Sequence, residues 1–434
     1  MSETIRFGAV DLNGQARGKR VPASYAEKLE SGVARLPLSV LNVDLWGEDI
    51  EDSPLVFKSG DRDGVLRPSP RGPLALPWID RPSALWLMRM HMQSGEPFEG
   101  CPQRALSRVL ERYEAKGWRV EAAFEMEFHL IDDVDGTLSA PISPRTGRRI
   151  KRADVNSLLG LDAFDDFFTD LYDGCEVMGI PAEAAISEAG VGQFELSLTH
   201  EEAGRAAESA WAFKQLARGL ARRHDMAASF MAKPFEDDTG NGLHVHFSVL
   251  DEEGRNVFDD GSEQGNDLLR SAVAGCLTAL PSSMLIFAPH ANSYERLVPG
   301  AHAPVQASWA YENRTAAIRI PAGPGKARRI EHRVAGGDAN PFLHLAAVLG
   351  AAMNGMEAGA VPPEPIKGNA YEQELPELPT DWASAIDAFD ESPEVAEIFH
   401  PRLIDCFTRT KRQELRRCEG MLRDDLVLLC LETV

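Results

Sequence analysis

The chain reads as an α+β protein. A small β-rich N-terminal unit precedes a larger unit in which a curved antiparallel sheet is backed by helices. Three observations predict this. In VEAAFEMEFHL, residues 120–130, Val120, Ala122, Phe124, Met126, Phe128 and Leu130 alternate with the residues between them. Strict alternation marks a half-buried strand, because successive side chains point to opposite faces. The same plan recurs in QFELSL, in LHVHFSVL and in short stretches around Arg319 and Glu331, each with an apolar back and a front of Glu, His or Arg. A single charged strand face is ordinarily solvated. Five with complementary charges are better explained by a shared polar cavity, and an antiparallel sheet can pack one face on helices while the other stays wet.

The bulk properties bound the rest. With 434 residues, 44% hydrophobic and 26% charged, the chain can bury a sizeable core and build two or three domains. The net charge of -22 repels nucleic acid and anionic membranes but suits cationic substrates or bound metal. Six scattered cysteines form no CxxC pair or zinc spacing, which fits a reduced, cytoplasmic setting. The start, MSETIRFGAV, carries no secretion signal, and no apolar run approaches the ~20 residues of a membrane helix.

The elements follow in order. Residues 1–100 are rich in Pro and Gly with short apolar runs such as LPLSVLNVDLW and ALWLMRMHM, and read as the small domain. Within it, the acidic residues 46–63 are predicted to be a loop, and SGEPFEGCP a linker. Residues 101–434 form the larger domain. Pro102 opens a helix that glycine closes. After the strand at 120–130, residues 132–152 are a polar hairpin or loop, and 158–178 and 201–225 are helices. QFELSL gives a second strand, with Gln193, Glu195 and Ser197 on its polar face. LHVHFSVL gives a third, with His244, His246 and Ser248 forward. Arg319 projects from a fourth, and Arg329, Glu331 and Arg333 from a fifth. Residues 341–355 are an apolar helix, and the remainder is mostly helical.

The front faces collect Glu125, Glu127, Glu188, Glu195 and Glu331, with His244. Glu125 and Glu127, two apart on one strand face, lie roughly 6–7 Å apart, a separation suited to two ligands of a polynuclear metal site. His129 continues their row. Hard ions such as Mg²⁺ or Mn²⁺ prefer this oxygen-rich set. Arg296, Arg314, Arg319, Arg329 and Arg333 supply planar guanidinium groups that grip carboxylate and phosphate. Metal plus an arginine crown is the usual equipment of phosphoryl transfer. The residues alone therefore indicate a metal-dependent phosphoryl-transfer enzyme. GPGK at 323–326 is no P-loop, because Ile320 and Ala327 occupy positions that need Gly and Ser or Thr.

FEMEF, SEAGVGQFE, GNGLHVHFS, RLVPG followed by AP, NRTAAIRIP and KARRIEHR occur in this order. Together they resemble the glutamine synthetase superfamily, strongly from about Cys101 onward and more loosely before. The resemblance implies an N-terminal β-grasp domain, a catalytic domain, and hexameric rings, usually stacked as dodecamers, with active sites between neighbours. It implies that ATP phosphorylates the γ-carboxylate of glutamate and an amine then displaces phosphate. By motif position, Glu127, Glu188 and Glu195 look like ligands of the metal beside glutamate, and Glu125, His244 and Glu331 like ligands of the metal beside ATP. Arg296 and Arg333 resemble the arginines around glutamate, with Gly240 lending backbone. Arg314 and Arg319 resemble those that stabilise the transferring phosphoryl group. His246, Ser248, Lys326, Arg329 and Glu183 match nucleotide-contacting positions. Asp44 and Asp63 match acids that a neighbouring subunit adds to the amine site. His129 and His332 read as packing groups. Tyr371 lies near where some members carry a regulatory tyrosine.

Two departures bear on the amine. Ammonia-using members carry a flap glutamate between the glycine of RLVPG and the following AP, whereas His302 stands there in this chain. Thr239 replaces a usual asparagine. Losing a fixed negative charge removes a partner for compact ammonium, while a histidine can still serve as a base toward an amine. With Asn313-Arg314-Thr315 and RGKRVP, this looks like the glutamate–amine ligase branch, whose members join glutamate to putrescine, other polyamines, ethanolamine or methylamine. The acidic Glu48, Asp49, Glu51 and Asp52 either meet a distal ammonium or form a solvated loop. The alternatives are an ammonium-using glutamine synthetase, a non-catalytic structural or sensing relative, and a guanidino kinase sharing the fold.

Overall fold

The computed structural model describes residues 3–300 and 303–434, with only the backbone of Asp135 and Glu432. Two sheets organise it. In the first, β1 (Thr4–Val10) and β2 (Ala16–Pro22) form a hairpin, followed by α1 (Ala26–Glu30), β3 (Arg35–Pro37), β4 (Asp63–Ala75) and β5 (Ser83–His91). The order is β2-β1-β5-β4-β3, with β1 and β5 parallel, a grasp-like arrangement. Asp11 shapes the hairpin turn: its Oδ1 accepts from the N–H of Asn13 at 2.9 Å and of Gln15 at 2.8 Å, an Asx turn.

The helix α2 (Pro102–Glu114), with proline in its first turn, leads into β6 (Arg119–Ile131), the centre of the second sheet. A small hairpin of β7 (Ile142–Ser143) and β8 (Arg148–Arg149) fills the polar stretch that follows. The single helix expected over 158–178 is two, α3 (Leu158–Asp162) and α4 (Asp165–Met178). The break falls at Phe164, whose backbone leaves the helical region. Its buried ring meets Phe194 edge-on at 5.5 Å. Then come β9 (Ala182–Ser187), β10 (Gln193–Leu198), β11 (Glu201–Glu202), α5 (Ala203–Arg223), β12 (Ala227–Ser229) and β13 (Leu243–Leu250). Next are α6 (Asp267–Ala279), α7 (Met284–Phe287), α8 (Ser293–Arg296), β14 (Trp309–Tyr311), β15 (Ile318–Ile320), β16 (Ile330–His332) and α9 (Pro341–Ala358). The chain closes with α10 (Trp382–Glu391), α11 (Pro393–Ile398), α12 (Pro401–Cys418) and α13 (Arg423–Thr433).

The second sheet runs β14-β15-β16-β13-β6-β10-β9, with β11 and β12 also on β6. It is antiparallel except for the β14–β15 pair, which is parallel. Along β6 the even-numbered apolar residues are buried while Glu125 and Glu127 are half-buried. Behind it pack α5 and the almost wholly buried α9. The acidic segment 46–63 is not purely loop, since Pro54–Lys58 makes a π-helical turn. Among the described residues no helix is long and apolar enough to cross a membrane. All six cysteines are free thiols.

The β1–β2 turn is tied to α12 through a buried polar knot. Lys411 Nζ lies 2.9 Å from Glu414 Oε2, both side chains fully buried. Asn13 of the β1–β2 turn completes the knot, donating to Glu414 Oε1 at 2.7 Å and accepting from Lys411 at 2.6 Å. Burial raises the Glu414 carboxyl above its ordinary value despite the Lys411 ammonium. An uncompensated charge here would cost about 3–5 kcal/mol.

Buried histidines set an acid limit. Burial pushes His290 and His344 well below the ordinary 6.5, and neither ring nitrogen of His344 has a partner. At these two histidines the folded state binds fewer protons than the unfolded one below pH 6.5, so their own contribution to stability falls as pH drops through that value. His344→Leu is expected to flatten the fall in melting temperature between pH 7.5 and 5. An unchanged slope would show that His344 is not part of the cause.

Candidate active site

Strand pairing alone assembles the polar front. Arg319 stands opposite Glu331, Glu331 opposite His246, His244 opposite Glu125, and Glu127 opposite Glu195. Because side chains two apart share a face, β15, β16, β13, β6 and β10 all turn these groups into one hollow.

Glu125 is its pivot. Its Oε2 lies 2.8 Å from His244 Nδ1 and its Oε1 2.9 Å from His246 Nε2. Burial opposes ionisation, but the two histidine N–H groups hold the carboxylate far below its usual range. Arg329 Nε donates to His246 Nδ1 at 3.3 Å. A guanidinium only donates, so His246 keeps its proton on Nε2. An ionised carboxylate only accepts, so His244 keeps its proton on Nδ1. In the neutral imidazole, His244 Nε2 then carries a lone pair; this nitrogen is buried and without a partner. A Cβ on Gly242 would lie 3.1 Å from this nitrogen, 3.3 Å from Glu127 Oε1 and 2.9 Å from Arg296 Nη2. Glycine at 242 leaves that space open.

Glu127 is fixed by the Gly242 N–H at 2.6 Å and by Gln193 Nε2 at 3.3 Å. Burial and the carboxylates of Glu127 and Glu125 raise Glu188 to about 7, with Arg314 opposing the rise. Burial and the charges of Glu125, Glu127 and Glu188 push Glu195 up to about 9. Crowded carboxylates that repel one another and a buried, unpartnered imidazole nitrogen form a donor set fit for divalent cations. Glu125, His246 and Glu331 also each offer a ligand atom within 4.8 Å of one another. Added Mg²⁺ or Mn²⁺ is therefore expected to raise the melting temperature, by the equivalent of about 2.7 kcal/mol at a hundredfold excess over Kd. Glu195→Gln should shrink that gain. An equal gain with Na⁺ would refute a specific site.

Glu331 is wholly buried between two arginines. Arg319 Nη1 donates to its Oε2 at 2.8 Å and Arg333 Nη1 to its Oε1. Burial would raise it, but Arg333, His246 and His244 hold it below its ordinary value. Arg296 is buried, with Nη1 donating to the Val334 carbonyl at 2.9 Å. A Cβ on Gly240 would come within 2.9 Å of Arg296 Cγ, so glycine there lets the arginine lie flat. Arg314 is exposed on the turn before β15.

The residues 99–425 match the model of the glutamine synthetase catalytic domain. The chain belongs to the glutamine synthetase family. It is 36% identical to gamma-glutamylputrescine synthetase PuuA of Escherichia coli (strain K12), over 95% of this chain and 88% of that protein. It is 31% identical to a glutamate--isopropylamine ligase of a Pseudomonas species, over 97% of this chain and 93% of that protein. A solved GmaS/ADP complex superposes with a TM-score of 0.85 at 27% identity, covering 97% of this chain and 95% of the other.

The remaining family positions fall in several places. Ser248 is on β13 beyond His246, opposite Glu121. Lys326 is exposed on a short helical turn. Glu183 is exposed on the edge strand β9. Asp63 is exposed at the start of β4. Thr239 is half-buried, its N–H held by Asp238 Oδ1 at 2.8 Å. His302 lies outside the described residues. Tyr371 donates its hydroxyl to the Ala303 carbonyl at 3.2 Å. His129 shares the front with Glu125 and Glu127 by alternation, yet it is fully buried, its Nδ1 2.8 Å from Asn241 Oδ1. His332 is likewise buried, its ring tilted against Phe287 with centres 4.6 Å apart.

The acidic segment has partners within its own chain. Asp44 is buried and accepts from Gln413 Nε2 at 2.9 Å and Arg417 Nη1 at 2.5 Å. Glu48 also meets Arg417, Asp52 meets Arg409, and Glu51 approaches Arg416, all on α12. Arg417 stacks over Trp46 at 4.0 Å. Asp44 is thus buried against α12, whereas the pairs of Glu48, Glu51 and Asp52 are exposed surface contacts.

Three supporting residues were given no site role by the sequence, although Gln193 was read onto a polar strand face. Asn241 donates to the Ser229 and Met231 carbonyls. Gln193 donates to Gly240 O at 2.9 Å, so together they fix the GNG turn. Glu312 adopts a positive φ of 51°. Its carboxylate holds the Ala322 N–H and Arg319 Nη2. The first two sit inside recognisable motifs, a usable signal. Nothing local marks the third.

Proposed function

We propose that this chain is an ATP-dependent ligase joining the γ-carboxylate of L-glutamate to an organic amine through γ-glutamyl phosphate. The carrying observation is similarity along nearly the whole chain to relatives named for amine ligation. The front of carboxylates and arginines supports it. Glu127, Glu188 and Glu195 would hold one divalent cation on the glutamate side, and Glu125, His244 and Glu331 would hold another on the nucleotide side. Bound Mg²⁺ or Mn²⁺ supplies charge neutralisation for the phosphates. Arg296 and Arg333, with Gly240 and Thr239, bind glutamate. Arg314 and Arg319 offset charge developing on the transferring phosphoryl group. His246, Ser248, Lys326, Arg329 and Glu183 contact ATP.

Attack by the amine on the acyl carbon expels phosphate and forms the amide, the amine losing a proton. In this reading His302 serves as the base for that proton. Asp44 and Asp63 reach the amine site only from a neighbouring subunit in a hexameric ring, stacked as a dodecamer. The domain boundary is set at residue 100, and the free thiols suit the cytoplasm.

Phosphate release with glutamate, ATP and a panel of amines tests the reading. Putrescine, spermidine, ethanolamine or methylamine is expected to support turnover better than ammonium. Strong turnover with ammonium and none with the others would establish an ordinary glutamine synthetase instead.

A further inference from the structure

A second cavity lies behind the catalytic sheet, where the β1–β2 hairpin meets α5. Its volume is about 380 Å³, and its walls include Arg6, Lys19, Arg20, Trp78, Trp211 and Gln215. No carboxylate lines it, although the chain as a whole carries a net charge of -22. Trp211 and Gln215 belong to α5, the helix backing β6, so the cavity shares nothing with the front described above.

Its charges are unbalanced in a specific way. Arg6 on β1 and Arg20 on β2 stand directly opposite in the strand register. Like charges at opposed strand positions destabilise the pair. Burial, and then the Arg20 charge, lower the Arg6 value. Neither arginine forms an ion pair with a described residue. Lys19 Nζ finds a neutral partner, the Arg35 carbonyl at 3.2 Å. Two further donors, Arg6 Nη1 and Gln215 Nε2, are buried with no acceptor. Buried donors of this kind are costly to leave unmade. An oxyanion between the two guanidinium groups would answer every one of these deficits at once, since guanidinium binds carboxylate and phosphate bidentately. The indole walls suit a flat ring attached to that anion.

We infer that this cavity is a ligand site for a small ring-bearing oxyanion, held by Arg6, Arg20 and Gln215 against Trp78 and Trp211. The test uses the full-length chain, following melting temperature and tryptophan fluorescence. The probes are phenyl phosphate, inorganic phosphate and benzyl alcohol. Phenyl phosphate is expected to stabilise most, inorganic phosphate less, and the neutral alcohol not at all. In Arg20→Gln, with basal turnover unchanged, the phenyl phosphate response should need about tenfold more ligand, and Lys19→Gln should weaken it less. An identical response in wild type and Arg20→Gln would place binding elsewhere and overturn the inference, as would no response in wild type. A changed assembly mass in Arg20→Gln without any phosphate response would assign the cations to a subunit contact, also overturning it.

Discussion

Replacing Glu331 with alanine is expected to lower kcat about 10²- to 10³-fold, the scale for losing one preorganised electrostatic group, and to destabilise the fold. Glu331 is fully buried, and its two oxygens hold Arg319 and Arg333. Without it Arg333 loses its carboxylate partner in a dry pocket and Arg319 keeps only the more exposed Glu312, at a cost of about 3–5 kcal/mol. Glu331→Gln separates the two effects. It keeps the shape and one acceptor but removes the charge. Its melting temperature should lie between wild type and Glu331→Ala, with turnover still severely reduced. Near-normal turnover in Glu331→Gln would show that the carboxylate charge is dispensable and would dismiss Glu331 as a metal ligand. Phosphate release under saturating ATP, beside thermal unfolding, reads both.

The second large effect divides two neighbours on β6. Glu127→Ala is expected to raise KM for glutamate and Glu125→Ala to raise KM for ATP. Each loss should be roughly 10- to 100-fold, from charge-assisted bonds worth about 1.5–3 kcal/mol. Their surroundings differ enough to support this. Glu127 receives the Gly242 N–H and lies across the glycine from Arg296, groups assigned to glutamate. Glu125 is bound by His244 and His246, and His246 continues to Arg329, groups assigned to the nucleotide. Identical kinetic defects in the two variants would mean that the hollow acts as one undivided charge cluster.

What could be read beforehand follows from the range of the forces. Alternation is local, so β6, β10 and β13 and their forward carboxylates and histidines stand out in the sequence. The strands β9, β12 and β14 do not, being AEAAIS, AAS and WAY. Short segments without alternation become strands only because a neighbour offers hydrogen bonds. Phe164 splits one expected helix because a ring 30 residues away in sequence, Phe194, offers it a buried contact. The acidic segment is conspicuous as charge, but its arginines lie on α12 more than 350 residues later, as with Asp52 and Arg409 at a separation of 357. Glu312 was invisible because only the folded turn brings its carboxylate to Arg319.

The knot of Asn13, Lys411 and Glu414 also has a consequence in time. The Asn13 side chain waits for a partner 401 residues downstream. At about 5–20 residues per second, the ribosome takes roughly 20–80 s to supply it. During that interval the β1–β2 hairpin can form, but the turn that joins it to the rest of the molecule stays unsealed. Nascent chains halted before α12 should therefore be protease-sensitive at this turn and become resistant only when the last helices emerge.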